Sequence, residues 1–367
     1  MIRFFKKEPV LVISFFAALV SCFFVAPSKE YIDYIDFRVL ALLFCLMSAV
    51  GGIQKSGFFE YLSVSMLKRT KSSSGLCLIL VMLAFFLSML VTNDVALIIT
   101  VPFAIAVLSA AGLDNMLIKT VVLQTVGANL GSMATPVGNP QNLFLYSYYN
   151  FSTKEFLAVV LPYAAISFVL ICIFCMAGKK TSLSYAPKIS SVPDKKRLIV
   201  YLCLMLLSIL TVVRLIHFAI TTIITIAVLL IRDRDILKKN DYCLLLTFIC
   251  FFVFSGNLGK IDAVSQFLRA VLEKNTIVCS ALTSQIISNV PAAVVLAPFT
   301  RLKESLLLGV NIGGLGTPIA SLASLISMKL YMNTETANSG RYICIFLLYN
   351  IIGLIGLLLI SNLLSFA

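Results

Sequence analysis

Charge is scarce in this sequence, and so is histidine. Charged residues make up 12% of the chain and apolar residues 60%, where soluble domains carry roughly a quarter charged residues. That deficit, with a mean hydropathy of +1.02, excludes the soluble globular class. Apolar/polar alternation is also lacking, which excludes a β-barrel. Instead there are continuous apolar runs, several of about 18 residues, the length of a helix that crosses a bilayer. The one histidine, His217, lies between two apolar segments and cannot make a metal site alone. The ten cysteines, Cys22, Cys45, Cys172 and Cys250 among them, are scattered in apolar runs without metal-ligand spacing, as small reduced core residues are. No His/Asp/Glu cluster, Ser-His pair or P-loop pattern is present, so neither an enzyme nor a nucleotide-driven pump is expected from this chain.

The formal net charge of +13 comes from Lys and Arg in short loops, where they orient a membrane protein. No nucleic-acid partner is implied; the surrounding partner is the bilayer. Arg3, Lys6 and Lys7 place the N-terminus in the cytoplasm, and residues 9–26 read as an uncleaved first span. An acidic outer loop, 27–36, leads to a span over 37–55. An amphipathic piece, 57–67, leads to the basic cluster Lys68, Arg69 and Lys71. Further spans are expected over 154–177, 198–216, 217–231, 241–258 and 341–362. A basic linker, 178–197, separates a first half (1–177) from a second (198–367) and puts the linker in the cytoplasm.

Each half contains the same motif pair. The first copy reads LSMLVTNDVALIITVP, ending at Pro102, and then VLQTVGANLGSMATPVGNPQNLF from Val122. The second reads TSQIISNVPAAVVLAP, ending at Pro298, and then GVNIGGLGTPIASLASLI from Gly309. Ser88, Asn93 and Pro102 match Ser284, Asn289 and Pro298 in spacing. Asn129, Gly131, Thr135 and Pro136 match Asn311, Gly313, Thr317 and Pro318. Leu and Val recur by chance in apolar sequence; Asn, Ser, Gly and Pro at fixed intervals do not, so the chain contains an internal duplication.

The breaks inside these motifs are the chemical clue. Residues 75–111 are interrupted at Thr92-Asn93-Asp94, and residues 116–148 at GANLGSMATPVGNP. Irregular backbone at membrane depth is tolerated only where it lines a protein cavity. The expected architecture is therefore an all-α polytopic membrane protein with inverted repeats. Each repeat has a re-entrant helical hairpin (75–111 and 276–300) and a discontinuous transmembrane helix (116–148 and 305–332). About nine crossings accompany the two hairpins. Hairpin-tip carbonyls with the oxygens of Ser88, Thr92 and Asn93, and of Ser284, Ser288 and Asn289, suit a small hard cation such as Na⁺. Half-helix N-termini suit an anion. Asp94 is an acid within an apolar span whose counterpart, Val290, is apolar. It is a cation ligand, a proton carrier or an N-cap.

At these residues the sequence resembles the ion-transporter superfamily: divalent anion–sodium symporters, citrate–metal transporters, arsenite/antimonite permeases and sodium–proton antiporters. The resemblance runs from about residue 37 to the end. Thr92-Asn93-Asp94 and Ser288-Asn289-Val290 stand where the symporters carry Ser-Asn-Thr, and they look more like the permease and antiporter branches. Gly138-Asn139-Pro140-Gln141-Asn142 is similar to the family's broken-span loop, and Ala320-Ser321-Leu322-Ala323-Ser324 is its second copy. The resemblance implies one Na⁺ site from Ser88, Thr92, Asn93 and the Gly138 region, beside the candidate cation ligand Asp94. A second would use Ser284, Ser288, Asn289 and the Ala320 region. It places the substrate between the tips, near Thr92, Asn93, Asn129, Thr135, Pro136, Asn139 and Pro140, and Ser288, Asn289, Asn311, Thr317 and Pro318. It further implies a homodimer, no resident cofactor, and elevator-type secondary transport of a small anion coupled to Na⁺ or H⁺. The alternative is a Na⁺/H⁺ antiporter or an arsenite/antimonite-type efflux permease that uses Asp94.

Overall fold

The computed structural model describes residues 8–67, 72–177 and 193–365. Arg3, Lys6, Lys7, Lys68, Arg69, Lys71 and residues 178–192 of the basic linker lie outside them. The described residues are helical nearly throughout and contain no strand. Among the described residues six helices are long and apolar enough to cross a membrane: Phe37–Lys55, Ser73–Leu90, Asn93–Ala110, Thr153–Met176, Tyr242–Lys260 and the Ser339–Leu363 stretch, so each arm of the hairpin expected over 75–111 is itself of spanning length.

Helix starts follow local chemistry. Asp36, Ser72, Asn139, Asp194, Asp241 and Asn275 each accept a backbone N–H from the first turn of the helix they precede. Ser152 and Glu155 form a capping box at the start of Thr153–Met176. Each cap satisfies donors that a helix end otherwise leaves open. The first helix ends at Ser21 rather than near residue 26. The stretch between Lys260 and Asn275, left without an element by hydropathy, is an amphipathic helix, Asp262–Lys274. Its charges hide it from a search for apolar runs.

We label the repeat elements α1 (Ser73–Leu90), α2 (Asn93–Ala110), α3 (Leu117–Ser132) and α4 (Pro140–Tyr148) in the first half. Their counterparts are α5 (Thr276–Ile287), α6 (Asn289–Leu296), α7 (Lys303–Ile312) and α8 (Leu322–Met332). The second hairpin is the shorter. At about 1.5 Å per residue, α5 and α6 reach well short of a ~30 Å hydrocarbon layer. Pro102 sits inside α2, but its counterpart Pro298 lies in the 3₁₀ turn that closes α6. The helix-forming run FAIAVLSA carries α2 onward; Thr300 and Arg301 follow Phe299 instead.

The first hairpin arm packs most closely on the broken helix in both repeats, α1 on α3 and α5 on α7. Gly127 and Gly131 face Val81 and Phe85 of α1, and Gly309 and Gly313 face Ile277 and Ala281 of α5. Small residues four apart let helix backbones meet closely. Elsewhere, Phe37–Lys55 packs against Lys195–Val212 and Phe218–Arg232, and Pro9–Ser21 against Tyr242–Lys260.

The loop end of this second group is pinned by Asp233, which is 5% exposed. It accepts from Lys55 Nζ at 2.7 Å, Tyr201 Oη at 2.9 Å and Arg197 Nε and Nη2 at 3.3 Å. Burial opposes its charge, but the Lys55 ammonium, the Tyr201 hydroxyl and the Arg197 guanidinium outweigh burial. Together they hold the carboxyl below its ordinary 3.8. A lowered folded pKa stabilises above the unfolded value and ceases to do so as pH falls through the folded one. Asp233→Asn is therefore expected to cost about 2 kcal/mol at neutral pH. Denaturation of the two proteins should converge below pH 3.8.

Candidate functional site

Each hairpin tip is tied to the break of its own broken helix. In the first repeat α1 ends at Leu90 and α2 begins at Asn93, with Val91 and Thr92 extended between them. Asn93 N donates to Gly138 O at 3.0 Å, and Thr135 Oγ1 donates to Met89 O at 2.6 Å. In the second repeat Ser288 alone separates α5 from α6, and its φ is +73°. Ser288 Oγ donates to Ala320 O at 3.4 Å, and Thr317 Oγ1 to Gln285 O at 3.3 Å. Aligning the repeats pairs Thr135 with Thr317, Met89 with Gln285 and Gly138 with Ala320, so both tips are held by the same device. A non-glycine residue in the left-handed region is strained, and Ser288 is held there by its surroundings.

Within each repeat the cation candidates lie along one seam. Ser88 and Ser284 are buried, and each donates to its own helix, to Phe85 O and Ser280 O respectively, at 2.8 Å. Their oxygens keep lone pairs for a further partner. Both face a motif glycine: a Cβ on Gly131 would stand 2.7 Å from Ser88 Oγ, and one on Gly313 2.8 Å from Ser284 Oγ. Asn93 Oδ1 accepts from Asp94 N at 3.1 Å, and Asn289 Oδ1 lies 3.5 Å from Ser288 Oγ. Hydroxyl, carboxamide and carbonyl oxygens of this kind suit a small hard cation.

The two broken helices exchange bonds across the repeat boundary. Asn129 Oδ1 accepts from Asn93 Nδ2 at 2.9 Å and from Ser321 Oγ at 3.0 Å. Its Nδ2 donates to Gly314 O at 3.2 Å and Ser324 Oγ at 3.4 Å. Reciprocally, Asn311 Oδ1 accepts from Asn139 Nδ2 at 3.1 Å, and Asn311 Nδ2 donates to Asn142 Oδ1 at 2.6 Å. Asn139 and Asn142 are the counterparts of Ser321 and Ser324. Each motif asparagine thus holds the other repeat's loop. A polar network this complete in a buried setting fixes one arrangement.

A cavity of ≈1040 Å³ lies beside the first tip. Its wall takes Thr92, Asp94, Asn139 and Pro140 from the first repeat and Lys329 from α8, and its other charged groups are Glu8, Lys55, Asp235, Lys239 and Asp241. Asp94 and Lys329 make none of the ion pairs found among the described residues. Asn93, Asn129, Thr135 and Pro136 are not on this wall. Ser288, Asn289, Asn311, Thr317 and Pro318 of the second repeat are not on it either. Thr135 and Thr317 instead spend their hydroxyls on the tips, and Pro318 opens the 3₁₀ turn Pro318–Ala320.

Sequence reasoning does not single out Lys239, Asp241, Lys329, Gln285, Ser321 or Ser324 as site residues. For Ser321 and Ser324 the repeat alignment carried the signal. For Lys329, Lys239 and Asp241 there was none, because they come from elements remote in sequence.

Comparison with known proteins gives the family and the fold. Residues 2–302 match the citrate transporter family. An uncharacterized transporter of Methanocaldococcus jannaschii is 33% identical over 318 residues, 86% of each chain. The inner membrane protein YbiR of Escherichia coli is 30% identical over 330 residues, 88% of this chain and 86% of its own. The silicon efflux transporter LSI3 of Oryza sativa is 30% identical over 167 residues, 45% of this chain and 34% of its own. Among solved structures, the YdaH transporter of Alcanivorax borkumensis shares the fold, with a TM-score of 0.56 at 16% identity over 92% of this chain and 88% of its own. Duplicated broken helices, a helical membrane fold and a match over most of the sequence lead to one conclusion: this chain is a membrane transporter of the citrate transporter family.

Proposed function

We propose that the chain is a secondary active transporter that moves a small anion across the cytoplasmic membrane, coupled to Na⁺ or H⁺. The observation that carries this reading is the cavity wall, which Thr92, Asp94 and Asn139 of the first tip share with Lys329 and Lys239. The tip oxygens take the cation, and the lysines and the N-terminus of α4 attract the anion. The cavity faces the cytoplasm, because the loop end that carries Lys55, Arg232, Arg234 and Lys239 is the basic one. Closing this side and opening the other requires the hairpins to move against Phe37–Lys55, Lys195–Val212 and Tyr242–Lys260, as in an elevator within a homodimer. Two loaded groups of opposite charge at one tip couple the fluxes, because each lowers the cost of carrying the other.

A second reading is favoured by Asp94, an acid on the cavity wall where the second repeat has Val290. In that reading the protein exchanges a cation for a weakly acidic hydroxide such as arsenite or silicate, with Asp94 releasing the cation that enters. The relative LSI3 is described as a silicon efflux transporter.

Thermal denaturation of the purified protein separates the two. A ligand that binds only the folded state raises Tm by mass action. Under the first reading NaCl or low pH stabilises where KCl does not, and citrate or another small anion adds to the shift only with the cation present. Under the second, no small anion adds, and arsenite or silicate opposes the cation. Indifference to every ion and anion would sink both. In transport, Lys329→Ala is expected to raise KM for the anion about tenfold, the loss of about 1.4 kcal/mol of charge attraction, with kcat little changed.

A further inference from the structure

The two tips share a plan but differ at one linked pair of positions. Where the first repeat has Met89 and Ala134, the second has Gln285 and Gly316. Gln285 extends its carboxamide from α5 into the loop of the second broken helix. Its Nε2 lies 2.9 Å from Gly313 O, 2.9 Å from Leu315 O and 3.1 Å from Ala281 O. Its Oε1 accepts from Thr317 N at 2.9 Å. Gly316, with φ +106°, makes the room: a Cβ there would collide with Gln285 Oε1 and stand 2.9 Å from Cδ. At the matched position Ala134 carries the Cβ that Gly316 lacks, and Met89 has no polar group to put there.

Three carbonyl oxygens around one nitrogen form the kind of cage that backbone carbonyls build around a small cation. An amide NH₂ carries two hydrogens for these three acceptors. It neutralises the mutual repulsion of the carbonyls without any ion. The second tip also differs from the first in having no acid, and it stands away from the cavity.

We infer that Gln285 is a built-in substitute for a cation in the second repeat, so that the chain takes up its coupling cation at the first tip alone. This rests on the reading of the first tip as a cation site. Gln285 draws together the loop carbonyls that an ion would otherwise hold, and so keeps the second tip in one arrangement without an ion. Its role is positioning: it keeps the Gly313–Thr317 loop, and through Gly314 O the Asn129 amide, in place without a bound ion.

The test is Tm of the full-length purified protein in NaCl and in choline chloride at matched ionic strength, for the parent, Gln285→Ala and Gln285→Glu. The parent is expected to respond to Na⁺ with a Hill coefficient of about 1. Both variants remove the NH₂ and leave the carbonyls unpaired. In choline chloride both should melt about 5 °C or more below the parent. In NaCl they should recover at least half of that loss, with a Na⁺ response steeper than the parent's. Gln285→Lys, whose ammonium brings three donors to the cage, should stay stable without Na⁺. An equal loss in both salts, or failure to fold in either, overturns the inference, as does a parent Hill coefficient near 2. The variants' gained Na⁺ response does not depend on transport. A parent indifferent to Na⁺ and pH would sink the first-tip reading while the variants still decide the role of Gln285.

Discussion

Asp94→Asn, reconstituted in proteoliposomes, is expected to lose cation-driven flux by about 100-fold, equivalent to about 2.7 kcal/mol. An acid in a membrane helix is retained where it serves a pathway or a partner. Asp94 lies on the cavity wall and makes none of the ion pairs found among the described residues, and the duplicated position holds valine. Asparagine keeps the size of the side chain and its place in the first turn of α2 but gives up the charge that holds a cation or carries a proton. Folding should change little, so Tm in choline chloride should stay near that of the parent while its response to Na⁺ or pH disappears. Asp94→Glu should restore part of the flux. A parent-like flux in Asp94→Asn would remove Asp94 from the coupling step and leave it as a helix-start residue.

Gly131→Val is expected to have the largest effect on folding. A Cβ at Gly131 would collide with Phe85 O, a backbone atom of α1 that cannot rotate away, and would press on Ser88 Oγ. Overpacking of this kind costs about 1–3 kcal/mol where side chains can yield, and here the obstacle is main chain. The monodisperse peak in detergent should fall sharply, while Gly131→Ala should give a smaller yield loss with a lower Tm. Gly313→Ala should be milder, because its Cβ would meet Ala281 Cα and the Ser284 side chain at 2.8 Å, and part of that obstacle is side chain. The folded fraction of Gly131→Ala should also bind the cation less well, since parting the broken helix from the hairpin disturbs Ser88, whereas Gly313→Ala, which disturbs only Ser284 of the second repeat, should keep the parent's cation response. A Gly131→Ala protein with parent-like Tm and cation response would show that the seam is looser than its geometry.

Much of the architecture is carried by the sequence itself. Helix breaks are local events: Asn, Gly and Pro stop or redirect a helix wherever they stand. The interruptions at Thr92, at Gly138, at Ser288 and around Gly316 therefore declare themselves in an otherwise apolar chain, and their recurrence exposes the duplication. The Asn93–Asn289 and Thr135–Thr317 pairs follow from the same spacing. Which partner each side chain takes was decided only by tertiary packing. Asn129 and Asn311 each bond into the opposite repeat, because the two broken helices cross where their own turns leave donors and acceptors open. The threonines spend their hydroxyls on the tips, the first tip alone borders the cavity, and Lys329, Lys239 and Asp241 complete its wall from distant elements. Periodicity states where a helix ends. The direction of a side chain around that helix, and the neighbour it meets, depend on contacts between residues far apart in the chain.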